Sequence, residues 1–84
     1  MTDKELKNRV LSILGEIAPE ADLDSLRSDL DFREQIDIDS MDYLNFVIAL
    51  DEEFQADIPE TEYTRFTSLD SCIDQLKRLL AKSE

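Results

Sequence analysis

Apolar side chains recur every three or four residues in the first part of the chain. The positions are Leu6, Val10, Ile13, Leu14 and Ile17. This period places them on one face of a helix. Thr2 and Glu5 have the spacing of a capping box, which would begin that helix. Pro19 would end it, because the residue before a proline is disfavoured in helical geometry. The pattern predicts a first helix from Asp3 to about Ala18.

The stretch from Pro19 to Asp39 shows no sustained period. Its apolar residues are interspersed with Asp and Ser. A structureless loop of this length is uncommon inside a compact domain. We therefore expect an ordered connection, held down by its apolar side chains and with room for a helical turn.

The strongest helical pattern runs from Ser40 to about Phe54 and contains two apolar stripes. The first stripe consists of Tyr43, Phe46, Val47, Leu50 and Phe54, which share one face. The second consists of Met41, Leu44 and Ile48, and it lies beside Asn45, Asp51 and Glu52. We interpret the first stripe as core. The second either packs on a later helix or is offered to a partner, and the neighbouring acids favour the partner because unpaired buried charge is costly.

The remainder of the chain predicts one short and one long helix. Glu60 to Arg65 has room for one or two helical turns after Pro59. Thr67 or Ser68 would then cap a last helix. Its apolar residues at helical spacing are Leu69, Cys72, Ile73, Leu76, Leu79 and Leu80.

With one Gly and two Pro, the chain has too few turn residues for many short strands. We predict a single all-α domain over residues 1–84: a small four-helix bundle with three longer helices, one short helix and a long connection between the first two.

Charge is strongly negative and concentrated in one span. The formal net charge is −12, and Glu34–Thr64 holds ten acidic residues but no Lys or Arg. Such a surface repels phosphate backbones and anionic membranes, so we expect neither nucleic-acid binding nor membrane insertion. It suits rapid docking onto basic protein surfaces.

Several kinds of chemistry are excluded by residue type. The chain has no His, which removes the Ser-His relay and the commonest zinc ligand. Cys72 is the single cysteine and lies on the last apolar stripe, so we interpret it as a core residue. A calcium loop starting at Asp37 would place Asp42 where Gly is required and Ile48 where Glu is required. With no apolar leader or membrane-length run, we expect a cytoplasmic protein. The missing residue types lead us to expect no bound metal and no enzymatic activity. We also expect a monomer.

Ser40 stands at the head of the predicted second long helix, between Asp39 and Asp42. By local rules it is the N-cap, because a serine hydroxyl accepts a bond from an N–H group two or three residues on. The alternative is a modified serine, because the amino end of a helix is also a favourable site for a phosphate ester. Local physics permits both.

The run Asp39-Ser40-Met41 resembles the Asp-Ser-Leu motif of the acyl carrier protein family. The resemblance covers nearly the whole chain and is densest from Phe32 to Pro59. Residues 47–54 and 57–59 resemble that family's second helix and the turn after it. This placement makes the short motif specific.

The resemblance implies that Ser40 is the attachment point for 4′-phosphopantetheine, transferred from coenzyme A by a separate phosphopantetheinyl transferase. Acyl or aminoacyl groups would then be carried as thioesters on the arm's thiol. Further partners would be loading synthetases and acyltransferase or synthase enzymes with basic docking surfaces, in fatty-acid, polyketide or related specialised biosynthesis. The implied recognition face comprises Asp39, Met41, Asp42, Leu44, Asn45, Ile48, Asp51 and Glu52.

The chain departs from the family pattern at four positions. Asp37 and Gln55 replace usual glycines, Asn45 replaces a frequent acid, and Met41 replaces Leu. Without glycine at position 55, we expect the end of the second long helix to differ. These departures favour a dedicated set of partners over a housekeeping role. The alternative function is an unmodified acidic adaptor that uses Met41, Leu44 and Ile48 as a plain protein-binding patch.

Overall fold

The computed structural model describes residues 2–82, which fold entirely as helices and connections. Three long helices are present: α1 (Asp3–Ile17), α3 (Ser40–Phe54) and α4 (Leu69–Lys82). A four-residue helix, α2 (Phe32–Gln35), lies in the connection between α1 and α3. Two stretches are 3₁₀-helical, Leu23–Ser25 and Glu60–Arg65, and we call the second the 60–65 segment. The predicted all-α bundle is confirmed. No helix in the described range is long and apolar enough to cross a membrane.

The ends of α1 follow from its sequence. Thr2 Oγ1 accepts a hydrogen bond from the Glu5 N–H at 3.2 Å, and the Glu5 carboxylate accepts one from the Thr2 N–H at 3.3 Å. The predicted capping box is therefore present. The helix ends at Ile17, and the Ala18 N–H still donates to the Leu14 carbonyl at 2.8 Å. The proline that follows stops the helix there.

The core is formed by the facing stripes of α1, α3 and α4 around three fully buried phenylalanines. These are Phe32, Phe46 and Phe66. The rings of Phe32 and Phe46 meet edge to face with centroids 5.3 Å apart. Cys72 is fully buried as predicted, and this burial raises the pKa of its thiol. The thiol is therefore a packing group in an apolar setting.

The connection between α1 and α3 is held down at several points, as the sequence predicts. Phe32 anchors α2 in the core, and its N–H donates to the Thr67 carbonyl at 2.8 Å. The Asp70 N–H donates to the Ser28 carbonyl at 2.9 Å. The Gln35 side chain bonds backbone groups of Arg27, accepting at 2.6 Å and donating at 2.8 Å. These bonds tie the connection to the start of α4 and to itself.

The start of α4 has a reciprocal pair of serines. Ser68 Oγ accepts from the Ser71 N–H at 3.1 Å, and Ser71 Oγ accepts from the Ser68 N–H at 2.9 Å. Of the two residues that the sequence offers as caps, Ser68 is the one used. The 60–65 segment immediately before it joins α4 through an ion pair between Glu62 and Arg78.

The C-terminal end of α3 adopts the left-handed conformation that glycine favours, although residue 55 is a glutamine. Gln55 adopts the left-handed conformation, with φ 48° and ψ 43°, and its N–H donates to the Asp51 carbonyl. Asp57 also has a positive φ, 53°. The expectation of a different helix end was wrong, because backbone bonding at this end holds a non-glycine residue in a conformation that costs it about 1–2 kcal/mol.

Candidate functional site

Ser40 is the first residue of α3, and the residue that caps this helix is Asp39. Asp39 Oδ1 accepts a hydrogen bond from the Asp42 N–H at 2.8 Å. The Asp42 carboxylate accepts one from the Asp39 N–H at 3.5 Å, which completes a capping box. The local prediction that Ser40 is the cap was therefore wrong. The reason is the third position after the cap: counted from Asp39 it is Asp42, whose carboxylate can reciprocate, whereas counted from Ser40 it is Tyr43, which has no carboxylate to offer.

This arrangement leaves the Ser40 hydroxyl free for other chemistry. The residue is exposed, and no described side chain or backbone group of residues 2–81 forms a hydrogen bond with its hydroxyl. It lies at the amino end of a 15-residue helix, where unpaired N–H groups and the helix dipole favour negative charge. Both adjacent carboxylates bond backbone N–H groups. The surroundings of Ser40 are therefore compatible with a phosphate group esterified to its oxygen.

Tyr43 lies one turn after Ser40, and its side chain is contacted at the hydroxyl and on the face of its ring. Its hydroxyl donates to the Tyr63 carbonyl in the 60–65 segment. The guanidinium carbon of Arg33, from α2, lies 5.3 Å from the centroid of its ring. Partial burial raises the pKa of Tyr43 to about 12, so its hydroxyl remains a donor at neutral pH. Sequence reasoning missed Arg33, because a single arginine in a stretch without period carries no positional signal.

The second apolar stripe of α3 is exposed. Met41 is 63% exposed, Leu44 39% and Ile48 38%. Asn45 and Glu52, which flank the stripe, are also exposed. Of the two alternatives drawn from the sequence, packing of this stripe on a later helix is wrong. The exposed stripe of Met41, Leu44 and Ile48 is called the α3 patch below.

Asp51, another member of the expected recognition face, also bonds the backbone. It is half-buried, and its Oδ1 accepts a hydrogen bond from the Ile58 N–H at 3.1 Å. Asp51 therefore holds the turn after α3. Glu53, which was not singled out in the sequence, forms an exposed ion pair with Arg9 on α1 at 3.4 Å. Glu52 is exposed, and its carboxylate forms no ion pair with the described side chains of residues 2–81.

Comparisons with known proteins agree on one family. A family model described as a phosphopantetheine attachment site matches residues 5–76. Similar curated proteins include the acyl carrier proteins of Lactobacillus acidophilus and Lactobacillus johnsonii. Each is 27% identical over 77 residues, which cover 92% of this chain and 95% of the relative. The chain belongs to the acyl carrier protein family, whose members hold 4′-phosphopantetheine as a covalent prosthetic group.

Proposed function

We propose that 4′-phosphopantetheine is attached to Ser40 and that the protein carries acyl or aminoacyl groups between enzymes of fatty-acid, polyketide or related specialised biosynthesis. The observation that carries this proposal is the free, exposed hydroxyl of Ser40 at the start of α3, where Asp39 has taken over the capping bond. The thiol of the attached arm would hold each cargo as a thioester. A cytoplasmic location and a monomeric state belong to the same proposal.

The residues around Ser40 would favour the attachment without performing it. The capping box of Asp39 and Asp42 fixes the first turn of α3, so the serine oxygen projects from a formed helix. The helix N-terminus favours the negative charge of a phosphodiester. Because the neighbouring carboxylates are engaged with backbone N–H groups, the base that removes the serine proton would come from a phosphopantetheinyl transferase.

Intact-mass measurement tests the attachment. The purified protein is incubated with coenzyme A, Mg²⁺ and a broad-range phosphopantetheinyl transferase. We expect a gain of one phosphopantetheine on the wild type and none on Ser40→Ala. Ser12→Ala, which removes an exposed hydroxyl from α1, is the control and should gain the same mass as the wild type. An unchanged wild-type mass with several transferases would instead support the unmodified adaptor.

We further propose that partner enzymes bind the α3 patch and the acidic residues that flank it. The proposed face comprises Asp39, Met41, Asp42, Leu44, Asn45, Ile48 and Glu52, with Asp51 supporting it through the turn. An exposed apolar strip bordered by carboxylates suits a partner surface that pairs an apolar recess with basic residues. The transferase that modifies Ser40 must approach this end of α3, so it is the first partner to test.

Charge reversal at Glu52 tests the recognition face. Glu52→Lys should slow association with the transferase severalfold at low ionic strength, because rim charges act mainly on the association rate. Asp74→Lys makes the same charge change at an exposed position on α4 and should have a smaller effect. Stopped-flow binding measures the rate, and circular dichroism checks that the helices are intact. Equal slowing in both variants would mean that net charge alone matters.

A further inference from the structure

We propose that Arg33 is the cation that pairs with the phosphodiester on Ser40 and so fixes the direction in which the arm leaves α3. This inference rests on the proposed attachment at Ser40. It assigns a positioning function to a residue of α2 that lies outside the recognition face.

The charge around Ser40 creates the need for such a cation. Asp39 and Asp42 flank the serine, and the sequence from Glu34 to Thr64 contains no Lys or Arg. A phosphodiester adds a further negative charge at this point. The helix N-terminus offsets part of the repulsion, but its effect is confined to the first turn and is screened by salt. A side-chain cation from another element would offset more.

The fold brings Arg33 onto the ring of Tyr43, which lies one turn after Ser40. Arg33 directly precedes the acidic span in sequence, and its guanidinium stacks on the ring of Tyr43 with 5.3 Å between Cζ and the ring centroid. Tyr43 follows Ser40 by three residues, so the two side chains are neighbours on the surface of α3. Helical side chains lean toward the amino end, which directs the Tyr43 ring toward the turn that Ser40 begins. The hydroxyl bond to Tyr63 keeps the ring in place.

Arg33 also has capacity for an anion. Its side chain is 51% exposed, and its ion pair with Asp31 is long, 3.7 Å from Nε to Oδ1. Among the described side chains of residues 2–81, the guanidinium of Arg33 forms an ion pair with Asp31 alone and donates no hydrogen bond. A guanidinium presents paired donors that match two phosphate oxygens, and it keeps its charge at any physiological pH.

Arg27 provides a matched control. It is exposed, it also pairs with an aspartate two residues away, Asp29 at 3.0 Å, and it lies in the same connection. Arg27→Gln therefore removes the same charge, together with a closer, hydrogen-bonded ion pair, without touching α3. Arg33→Lys keeps the charge but loses the planar donors.

The experiment compares each protein before and after modification, with mass spectrometry confirming that the arm is attached. At low ionic strength, modification should lower the Tm of Arg33→Gln by about 2–4 °C more than that of the wild type or Arg27→Gln. Arg33→Lys should lie between them, and about 0.5 M salt should remove the difference. Comparing each variant with its own unmodified form cancels any general effect on folding.

As a direct readout, the Nε–Hε NMR signal of Arg33 should shift on modification while that of Arg27 does not.

Equal changes in Tm for Arg33→Gln and Arg27→Gln, together with an unmoved Arg33 signal, would overturn the inference while leaving the attachment intact. Absence of the mass gain on the wild type would overturn the proposed function and this inference with it. The two failures are distinguishable, because the mass is read before the Tm and the NMR signal.

Discussion

Asp39 and Ser40 are adjacent, but only Asp39 is needed to begin α3. The cap and its partner Asp42 satisfy the first backbone groups of the helix, whereas the Ser40 hydroxyl forms no hydrogen bond with the described groups of residues 2–81. Replacement of Ser40 by alanine should therefore change the free energy of unfolding by less than about 0.5 kcal/mol, as at other exposed positions. A loss of modification in Ser40→Ala can then be assigned to the missing oxygen.

At residue 55, stability is lowered by backbone strain. Gln55 has φ 48°, a conformation that glycine adopts without steric penalty. Gln55→Gly should raise the free energy of unfolding by about 1 kcal/mol, which urea unfolding can measure. Gln55→Ala keeps the Cβ atom and should give no such gain. A less stable glycine variant would show that the glutamine side chain makes compensating contacts.

The roles of individual residues at the candidate site could be predicted from the sequence only in part. The serine that we propose as the attachment point was found through the family motif, but local rules assigned the cap to it. The Asp-x-x-Asp spacing of Asp39 and Asp42 was present in the sequence and, if weighed, would have identified the real cap. Arg33 could not be found, because its position depends on how α2 packs against Tyr43.

At the scale of elements, the 60–65 segment is held by polar contacts and by the partly buried side chain of Tyr63. None of its own residues is buried, and Glu62 pairs with both Arg78 of α4 and Arg65 of the segment itself. Removal of the Glu62 charge should therefore loosen this segment alone. The opening should not extend to α1, which is anchored by buried side chains such as Leu6 and Val10.

Hydrogen exchange tests the role of Glu62. In Glu62→Gln, the amides of residues 62 and 66, which bond the carbonyls of Pro59 and Tyr63, should exchange about fivefold faster. Glu60→Gln removes a charge from an exposed side chain of the same segment and is the control. Faster exchange in α1 as well would indicate global destabilisation.

The three long helices were predictable, and α2 was not. The long helices have a sustained apolar period and recognisable caps, and they differ from prediction by only a residue or so at their ends. A four-residue helix has no period to detect. Its existence depends on the burial of Phe32 against Phe46 and on a backbone bond to Thr67, both of which are tertiary contacts.

For the whole molecule, we expect repulsion among the ten acids of Glu34–Thr64 to lower the free energy of unfolding. Ion pairs join few of them: Glu53 bonds Arg9, and Glu62 bonds Arg65 and Arg78. Many others are exposed and form no ion pair with the described side chains of residues 2–81. Screening by salt should therefore favour the folded state.

Raising the ionic strength from about 10 mM to about 150 mM NaCl should raise the Tm by about 3 °C, with a similar or larger effect of Mg²⁺. Differential scanning calorimetry measures the change. A triple variant at exposed positions, Asp37→Asn, Glu52→Gln and Glu60→Gln, should respond less, because it has less charge to screen. A flat wild-type response would show that the acids are already far enough apart.

The aspartate cap at the start of α3 has a practical consequence. Because the helix is complete without the serine oxygen, whatever is esterified to that oxygen can be added, exchanged or hydrolysed on a finished fold. The unmodified domain could therefore be stored, fused to another protein and labelled later with a dye or biotin delivered on a coenzyme A analogue. This use rests on the proposed attachment at Ser40, where the transferase would add the label.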